Sequence, residues 1–197
     1  STRLATLRGL FELTAGDRVP VFNVVDPIAE HVAKTWSGHA VGVIGTKGTI
    51  ASRVYVKAIS RLDRTVKVRS LATPLLAPMI EEGFYNNTIS KAVIRGYLEH
   101  RNLSGMEALV LGCTHYPLIR REVEEILGSG VKVLDPPAIV ARHVRGELEA
   151  RGQLHQGDTP SGDDHFFLSD LSDSFAKSAR RFFRRSMTVE EMRLWDQ

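Results

Sequence analysis

Two side chains able to do chemistry, Cys113 and His115, lie two residues apart and directly after an apolar run. The run, Ala108 to Gly112, has no polar alternation, which is typical of a buried parallel strand. A cysteine thiolate is a base and a nucleophile, and a neighbouring imidazole or backbone N–H group favours that form. The polar turn from Gly112 to Pro117 therefore predicts a reactive thiol at the end of a strand. A buried, inert cysteine is the alternative.

A glycine-rich turn from Gly45 to Thr49 follows a second apolar run and leads into a helical pattern. The N-terminus of a helix with hydroxyl groups beside it suits a carboxylate. Thr46 and Thr49 are therefore candidate substrate-binding residues. Ordinary helix capping is the alternative for both of them.

Two acidic residues, Glu81 and Glu82, end a third helical segment just before Gly83. Acidic side chains at a helix C-terminus are mildly unfavourable because the helix dipole is negative there. This departure from the dipole preference indicates that one of the two carboxylates belongs to a functional site. A solvated helix end is the alternative.

Apolar strands and amphipathic helices alternate along most of the chain. The predicted strands are Val19 to Val25, Ala40 to Ile44, Val66 to Leu71, Ala108 to Gly112, Val131 to Leu134 and His165 to Leu168. The predicted helices are Ser1 to Leu13, one capped by Asp26 before Pro27, then Thr49 to Leu62, Pro74 to Glu82, Ile89 to His100, Arg120 to Leu127, Ala138 to Ala150 and Phe175 to Phe183. This order predicts an α/β fold with a parallel sheet flanked by helices. Ligands of such sheets lie beyond the carboxyl ends of the strands, which here are the segments Gly45 to Thr49, Ala72 to Pro74 and Gly112 to Pro117.

Composition excludes several classes of function. The net charge of +3 comes largely from a cluster of arginines near the C-terminus, without the interleaved aromatics or reading motif of a nucleic-acid binder. The single cysteine cannot form an intrachain disulfide and makes a poor zinc site. No apolar run reaches the length of a membrane span. We expect a cytoplasmic protein without nucleic-acid or membrane partners.

The motif Gly112-Cys113-Thr114-His115-Tyr116-Pro117 resembles the second-cysteine motif of the glutamate racemases, within the aspartate and glutamate racemase superfamily. The resemblance implies inversion of the α-carbon of glutamate by two cysteines, without a cofactor or metal. It implies that Cys113 is one of the bases, that His115 assists it and that Glu81 is the site carboxylate, with Glu82 as the neighbouring alternative. Aspartate-specific relatives usually carry an acid where His115 stands, so glutamate is the favoured substrate.

The resemblance also implies roles for three hydroxyl groups and a division into two pseudosymmetric lobes. Thr46, Thr49 and Thr114 would donate hydrogen bonds to substrate carboxylates. Residues 23–136 would form a complete second lobe, and residues 1–22 and 137–197 the remainder of an incomplete first lobe. The family's first-cysteine segment, Cys-Asn-Thr-Ala, and its Asp-Ser-Gly segment do not occur in the sequence.

Since one base returns the same enantiomer, we expect no racemisation by this polypeptide alone. The role implied for the complete enzyme is D-glutamate supply for bacterial peptidoglycan, and a homodimer is one expectation for its assembly. Three other functions remain open: another isomerase of the superfamily, a non-catalytic ligand-binding module, and a thiol hydrolase. The last needs a contact between Cys113 and His115, which residues two apart on an extended turn need not make.

Overall fold

The described part of the chain centres on a parallel β-sheet of four strands. The computed structural model describes residues 21–155, 166–169 and 189–192. The strands are β1 (Ala40–Gly45), β2 (Lys67–Ala72), β3 (Ala108–Leu111) and β4 (Lys132–Val133), in the order β2-β1-β3-β4. Every residue of the central strand β1 is buried. The predicted α/β class with a parallel sheet is confirmed.

Helices cover both faces of this sheet. They are α1 (Asp26–Thr35), α2 (Lys47–Ser52), α3 (Val54–Leu62), α4 (Leu76–Glu81), α5 (Thr88–Leu98), α6 (Arg120–Leu127) and α7 (Pro136–Ala150). Short 3-10 turns lie at Arg101–Leu103, Tyr116–Ile119 and Gly128–Gly130. Two further strands, β5 (Phe166–Leu168) and β6 (Val189–Glu191), pair in parallel with each other.

The alternation of side chains along β3 divides the core between the two faces. Ala108 and Val110 pack with residues of α1, α3 and α7, whereas Leu109 and Leu111 pack with residues of α4, α5 and α6. All four are at most 1% exposed. Burying an aliphatic side chain of this size contributes about 1.5–3 kcal/mol, so the sheet is anchored from both sides.

The helix predicted over Thr49 to Leu62 is two helices. Arg53 adopts a left-handed conformation with φ of 55°, which ends α2 at Ser52 and lets α3 begin at Val54. The first helix also begins earlier than predicted, at Lys47, because Thr46 caps it.

The strand predicted over Val19 to Val25 is wrong for the part that the structure describes. The Asn23 side-chain oxygen accepts hydrogen bonds of 2.9 Å from the N–H groups of Val25 and Asp26. This local bond competes with strand pairing and turns the chain into α1. Asp26 is therefore the first residue of the helix rather than its cap, and Asn23 bonds the N–H groups just before the first turn.

Some predicted elements lie outside the described residues, namely the helices over Ser1 to Leu13 and Phe175 to Phe183. The strand near His165 is confirmed from Phe166 to Leu168. Within the described ranges, no helix is both long and apolar enough to cross a membrane.

Candidate active site

The carboxyl ends of β1, β2 and β3 meet at one edge of the sheet. The backbone N–H of Thr73 donates to the Gly45 carbonyl, and that of Gly112 donates to the Ile44 carbonyl, each at 2.8 Å. A Cβ on Gly112 would stand 2.7 Å from the Ile44 oxygen, closer than real Cβ atoms come. Only glycine allows this approach, so Gly112 lets the chain leave β3 beside β1 and present Cys113 at the edge.

A carboxylate, an imidazole and the thiol form a chain of contacts at this edge. The Cys113 sulfur lies 3.7 Å from His115 Nδ1, and His115 Nε2 lies 3.3 Å from Glu81 Oε1. If Glu81 accepts the proton on Nε2, then Nδ1 is unprotonated and faces the thiol as an acceptor. Cys113 is half-buried, and the His115 side chain is 32% exposed, so the sulfur and the imidazole remain accessible.

The contact between Cys113 and His115 contradicts the expectation of an extended turn. His115 has helical backbone angles, φ of −80° and ψ of −26°, at the start of the 3-10 turn that follows. This curvature brings the imidazole back over the residue two positions earlier. The contact that a cysteine–histidine pair requires is therefore present in the structure.

The thiol is harder to ionise than a free cysteine. Burial raises the pKa of Cys113, and the Glu81 carboxylate raises it further. The backbone N–H groups of His115 and Tyr116 and the Thr114 hydroxyl oppose this by stabilising the thiolate. Because the pKa remains raised, the thiol form is dominant near neutral pH. A thiolate there depends on proton transfer to a neighbouring base, and His115 is placed for it.

Sequence reasoning missed a buried hydroxyl network beneath the site. The Tyr116 hydroxyl lies 2.7 Å from the Thr73 hydroxyl, which in turn donates to the Gly45 carbonyl at 3.3 Å. Both side chains are fully buried, and burial raises the pKa of Tyr116 to about 12. The network ties the three strand ends together. The sequence feature that could have indicated this network is a hydroxyl residue, Thr73, directly after an apolar strand.

Thr46 caps helix α2, the alternative role considered for both threonines, and Thr49 lies within the first turn of that helix. Thr46 Oγ1 accepts from the Thr49 backbone N–H at 3.3 Å, and the two hydroxyls are 3.0 Å apart. They nevertheless lie at the site edge. A Cβ on Gly45 would stand 3.3 Å from the Thr49 Cβ and 3.4 Å from the Gly112 carbonyl oxygen. Their role toward a substrate stays a prediction.

A cavity of about 370 Å³ opens beside the thiol. Cys113 and Thr114 line part of it, and residues of α1, α3 and α7, including Ile28, Tyr55 and Val140, line much of the remainder. Ligand clefts in proteins typically enclose about 300–1,000 Å³, so this volume is sufficient for a small molecule. His115, Glu81, Thr46 and Thr49 are not among its lining residues.

Comparison with known proteins places this arrangement in a family. The family model described as Asp/Glu/Hydantoin racemase matches residues 6–144. The glutamate racemase of Geobacter metallireducens is 40% identical over 164 residues, which cover 83% of this chain and 60% of that relative. This chain therefore spans less than two thirds of that relative's length.

Solved glutamate racemases share the fold. Isoform RacE1 of Bacillus anthracis aligns with a TM-score of 0.82 at 31% identity, covering 94% of this chain and 69% of that one. The enzyme of Francisella tularensis, solved in complex with D-glutamate, aligns with a TM-score of 0.81 at 28% identity, covering 94% and 67%. With the family model matching most of its length, the chain belongs to the Asp/Glu/hydantoin racemase family.

Proposed function

We propose that this chain supplies one catalytic half-site of a glutamate racemase, which interconverts L- and D-glutamate without a cofactor. The observation that carries the proposal is the Cys113 thiol at the tip of β3, 3.7 Å from His115 Nδ1 and open to a cavity. The glutamate racemases among its relatives support glutamate as the substrate.

The proposed chemistry is the transfer of one proton to and from carbon. The α-proton of an amino acid is very weakly acidic, so its removal needs a positioned base in a site that excludes water. His115 takes the thiol proton of Cys113, and the resulting thiolate removes the α-proton. A thiol on the opposite face then donates a proton to the carbanion. Cys113 is the single cysteine here, so that second thiol comes from outside this sequence.

Glu81 and three threonines complete the proposed site. Glu81 orients the His115 imidazole and balances the ammonium group of the substrate. The contact of Glu81 with His115 favours it over Glu82 as the site acid. Thr114 lines the cavity next to Cys113, where its hydroxyl can donate to a substrate carboxylate. Thr46 and Thr49 would serve the other carboxylate, with their mutual hydrogen bond exchanged for bonds to the ligand.

The wider assignments belong to the same proposal. Residues 23–136 form one lobe, and residues 1–22 and 137–197 belong to the other. The complete enzyme acts in the cytoplasm, supplies D-glutamate for peptidoglycan and forms a homodimer. Parallel pairing of β5 with β6, in a sheet separate from the four-stranded one, supports a second lobe.

Circular dichroism of D- and L-glutamate solutions tests the proposal. A longer polypeptide that contains this chain and an upstream Cys-Asn-Thr-Ala segment should racemise both enantiomers, and its Cys113→Ala variant should not. The chain alone should be inactive. Preferred turnover of aspartate would reassign the substrate. If the longer polypeptide binds glutamate without turnover, the site is a ligand-binding remnant.

The contact of Glu81, His115 and Cys113 also favours a second candidate, thiol-dependent acyl transfer. In such a reaction the thiolate attacks a carbonyl carbon, and the acylated enzyme is then hydrolysed. If the site works in this way, an activated ester such as p-nitrophenyl acetate should give a burst of nitrophenol, and the mass spectrum should show an acetylated Cys113. The Cys113→Ala variant should show neither.

A further inference from the structure

Helix α6 carries a buried carboxylate that the proposed reaction does not use. Glu122 is 5% exposed, and its Oε1 accepts hydrogen bonds from the Asn86 backbone N–H at 2.6 Å and from the Ser90 hydroxyl at 3.2 Å. Both donors are neutral. Glutamate is rarely buried to this degree, because removing a carboxylate from water costs several kcal/mol unless strong bonds replace the solvent. The position therefore calls for a function that an apolar residue would not provide.

The two bonds hold the turn that follows Glu81. The chain reverses between α4 and α5 through two residues in the left-handed region, Gly83 with φ of 71° and Asn86 with φ of 61°. A residue other than glycine is strained there. Glu122 bonds the N–H of the strained Asn86 and, through Ser90, the first turn of α5. One carboxylate thus anchors the end of the turn that leads into α5, five residues after Glu81.

The same carboxylate joins the two halves of the site. Glu81 is the last residue of α4, directly before this turn, and His115 lies at the start of the 3-10 turn that leads into α6. Glu122 belongs to α6 but bonds the turn after α4. It therefore ties the segment that carries Glu81 to the segment that carries His115.

We propose that Glu122 is a positioning residue that holds the Glu81 carboxylate against the His115 imidazole. This role rests on the proposed function, because it assigns to Glu122 the support of the Glu81–His115 contact. Glu122 acts on the site through Glu81 alone. Without the bond to Asn86, the turn is free to shift, and Glu81 loses its fixed distance from the imidazole and the thiol. The ionisation of the Cys113 thiol then changes in the same direction as when the Glu81 carboxylate itself is removed.

A surface ion pair between the same two helices provides a control. Lys91 of α5 lies 2.8 Å from Glu125 of α6, and these side chains are 42% and 54% exposed. Exposed pairs of this kind contribute little to stability, and this one makes no bond to the turn after Glu81. Glu125→Gln thus removes a carboxylate from α6 while leaving the Glu122 anchor in place.

The test is the pH profile of Cys113 alkylation by iodoacetamide, followed by mass spectrometry on the chain itself. The single cysteine makes the signal unambiguous, and no substrate is needed. The midpoint of the profile is the pH at which the alkylation rate reaches half of its maximum. Glu81→Gln should move this midpoint to lower pH, because the Glu81 charge raises the pKa of Cys113. Glu122→Met, which keeps the side-chain volume but removes the acceptor, should move the midpoint in the same direction. Glu122→Gln, which keeps an acceptor oxygen, and Glu125→Gln should leave it unchanged.

The double variant Glu81→Gln/Glu122→Met separates positioning from general stability. If Glu122 acts through Glu81, the double variant has the midpoint of Glu81→Gln alone. Additive shifts, or a Glu122→Met variant with a lower melting temperature but the wild-type midpoint, would overturn the proposal. If Glu122→Met does not fold, the Asn86→Gly substitution is added to relieve the strain of the left-handed backbone. The alkylation midpoints are then compared in that background, with the same outcomes expected. Failure of racemisation in the longer polypeptide would leave these outcomes unaffected.

Discussion

At the scale of single residues, the reactivity of Cys113 depends on a balance between burial and proton transfer. Burial holds the thiol protonated, and the imidazole 3.7 Å away provides the base. Thiolates, not thiols, react with alkylating agents. The effects of His115 and Glu81, two titratable neighbours of the sulfur, can therefore be separated by experiment.

Replacing His115 with asparagine should slow Cys113 alkylation near neutral pH, because the thiol loses its proton acceptor. Above the raised pKa of Cys113 the difference from the wild type should vanish, since the thiolate then forms without help. Iodoacetamide rates between pH 6 and pH 11 measure both regimes. His100→Asn is the matched control, because His100 caps a 3-10 turn through Asn102, a role that asparagine can fill.

The adjacent acids Glu81 and Glu82 should behave differently despite identical chemistry. Glu81→Gln removes the carboxylate that lies 3.3 Å from His115 Nε2. This should lower kcat for glutamate racemisation by the longer polypeptide by roughly 100-fold or more, the lower end of what one positioned acid–base group contributes. Glu82→Gln should change kcat less than twofold. Circular dichroism kinetics with both variants measure this, and equal losses would remove the distinction between the two acids.

At the scale of elements, the site depends on how closely β3 approaches β1 and on how the helices are capped. Gly112 makes the close approach, and Asp135 caps α7, the longest helix of the described ranges. Both residues shape the walls of the cavity without taking part in the chemistry.

Gly112→Ala should destabilise the fold by about 1–3 kcal/mol, the usual cost of overpacking, because the new Cβ meets the Ile44 oxygen at 2.7 Å. Urea unfolding followed by far-UV circular dichroism gives the free energy. Gly96→Ala in α5 is the control. No atom lies within 4 Å of its added Cβ, and alanine should stabilise the helix by up to about 1 kcal/mol.

Asp135 has two bonds that substitutions can separate. Its Oδ1 accepts from the Ala138 N–H at 3.2 Å and caps α7, and its Oδ2 accepts from Arg120 at 2.5 Å. Asp135→Ala should cost about 0.5–2 kcal/mol for the cap. Asp135→Asn retains a capping oxygen and loses only a partly exposed ion pair, worth about 0–1 kcal/mol. Equal losses in urea unfolding would show that the ion pair, and not the cap, carries the effect.

At the scale of the whole molecule, stability should fall at both ends of the pH range. Hydrogen bonds lower the pKa of Asp63, Glu107 and Glu125 below their ordinary values of 3.8 and 4.5. The unfolded chain binds more protons near those values, so stability is present above them and is lost as the pH falls through this range. Burial raises the pKa of Cys113, and raises those of Tyr55 and Tyr116 to about 12, so the unfolded chain ionises first at high pH.

Stability should therefore also fall as the pH rises above about 9, the ordinary value for cysteine, and further above 10, that for tyrosine. Urea midpoints measured from pH 3 to pH 11 should describe a plateau with two declining limbs. Glu107→Gln should flatten the acid limb, and Tyr116→Phe the alkaline one. A midpoint independent of pH would contradict the assignment of these groups.

The sequence by itself determined the fold class, and it predicted the edge of the sheet for the site and the candidate residues there. These follow from local patterns: unbroken apolar strands, helical periodicity and a glycine-flanked Cys-Thr-His turn after β3. It also identified Glu81 and His115 separately, but gave no distance between them.

Only the tertiary structure decided which of these residues touch. The helical backbone at His115 returns the imidazole to Cys113, and the packing of α4 against the turn after β3 brings Glu81 to the imidazole. The buried bonds of Thr73 with Tyr116 and of Glu122 with Asn86 join residues 43 and 36 positions apart. A periodic pattern reports which face of an element is buried, whereas such contacts depend on the relative placement of several elements at once. That is why the sequence could propose candidate residues for the site but not its geometry.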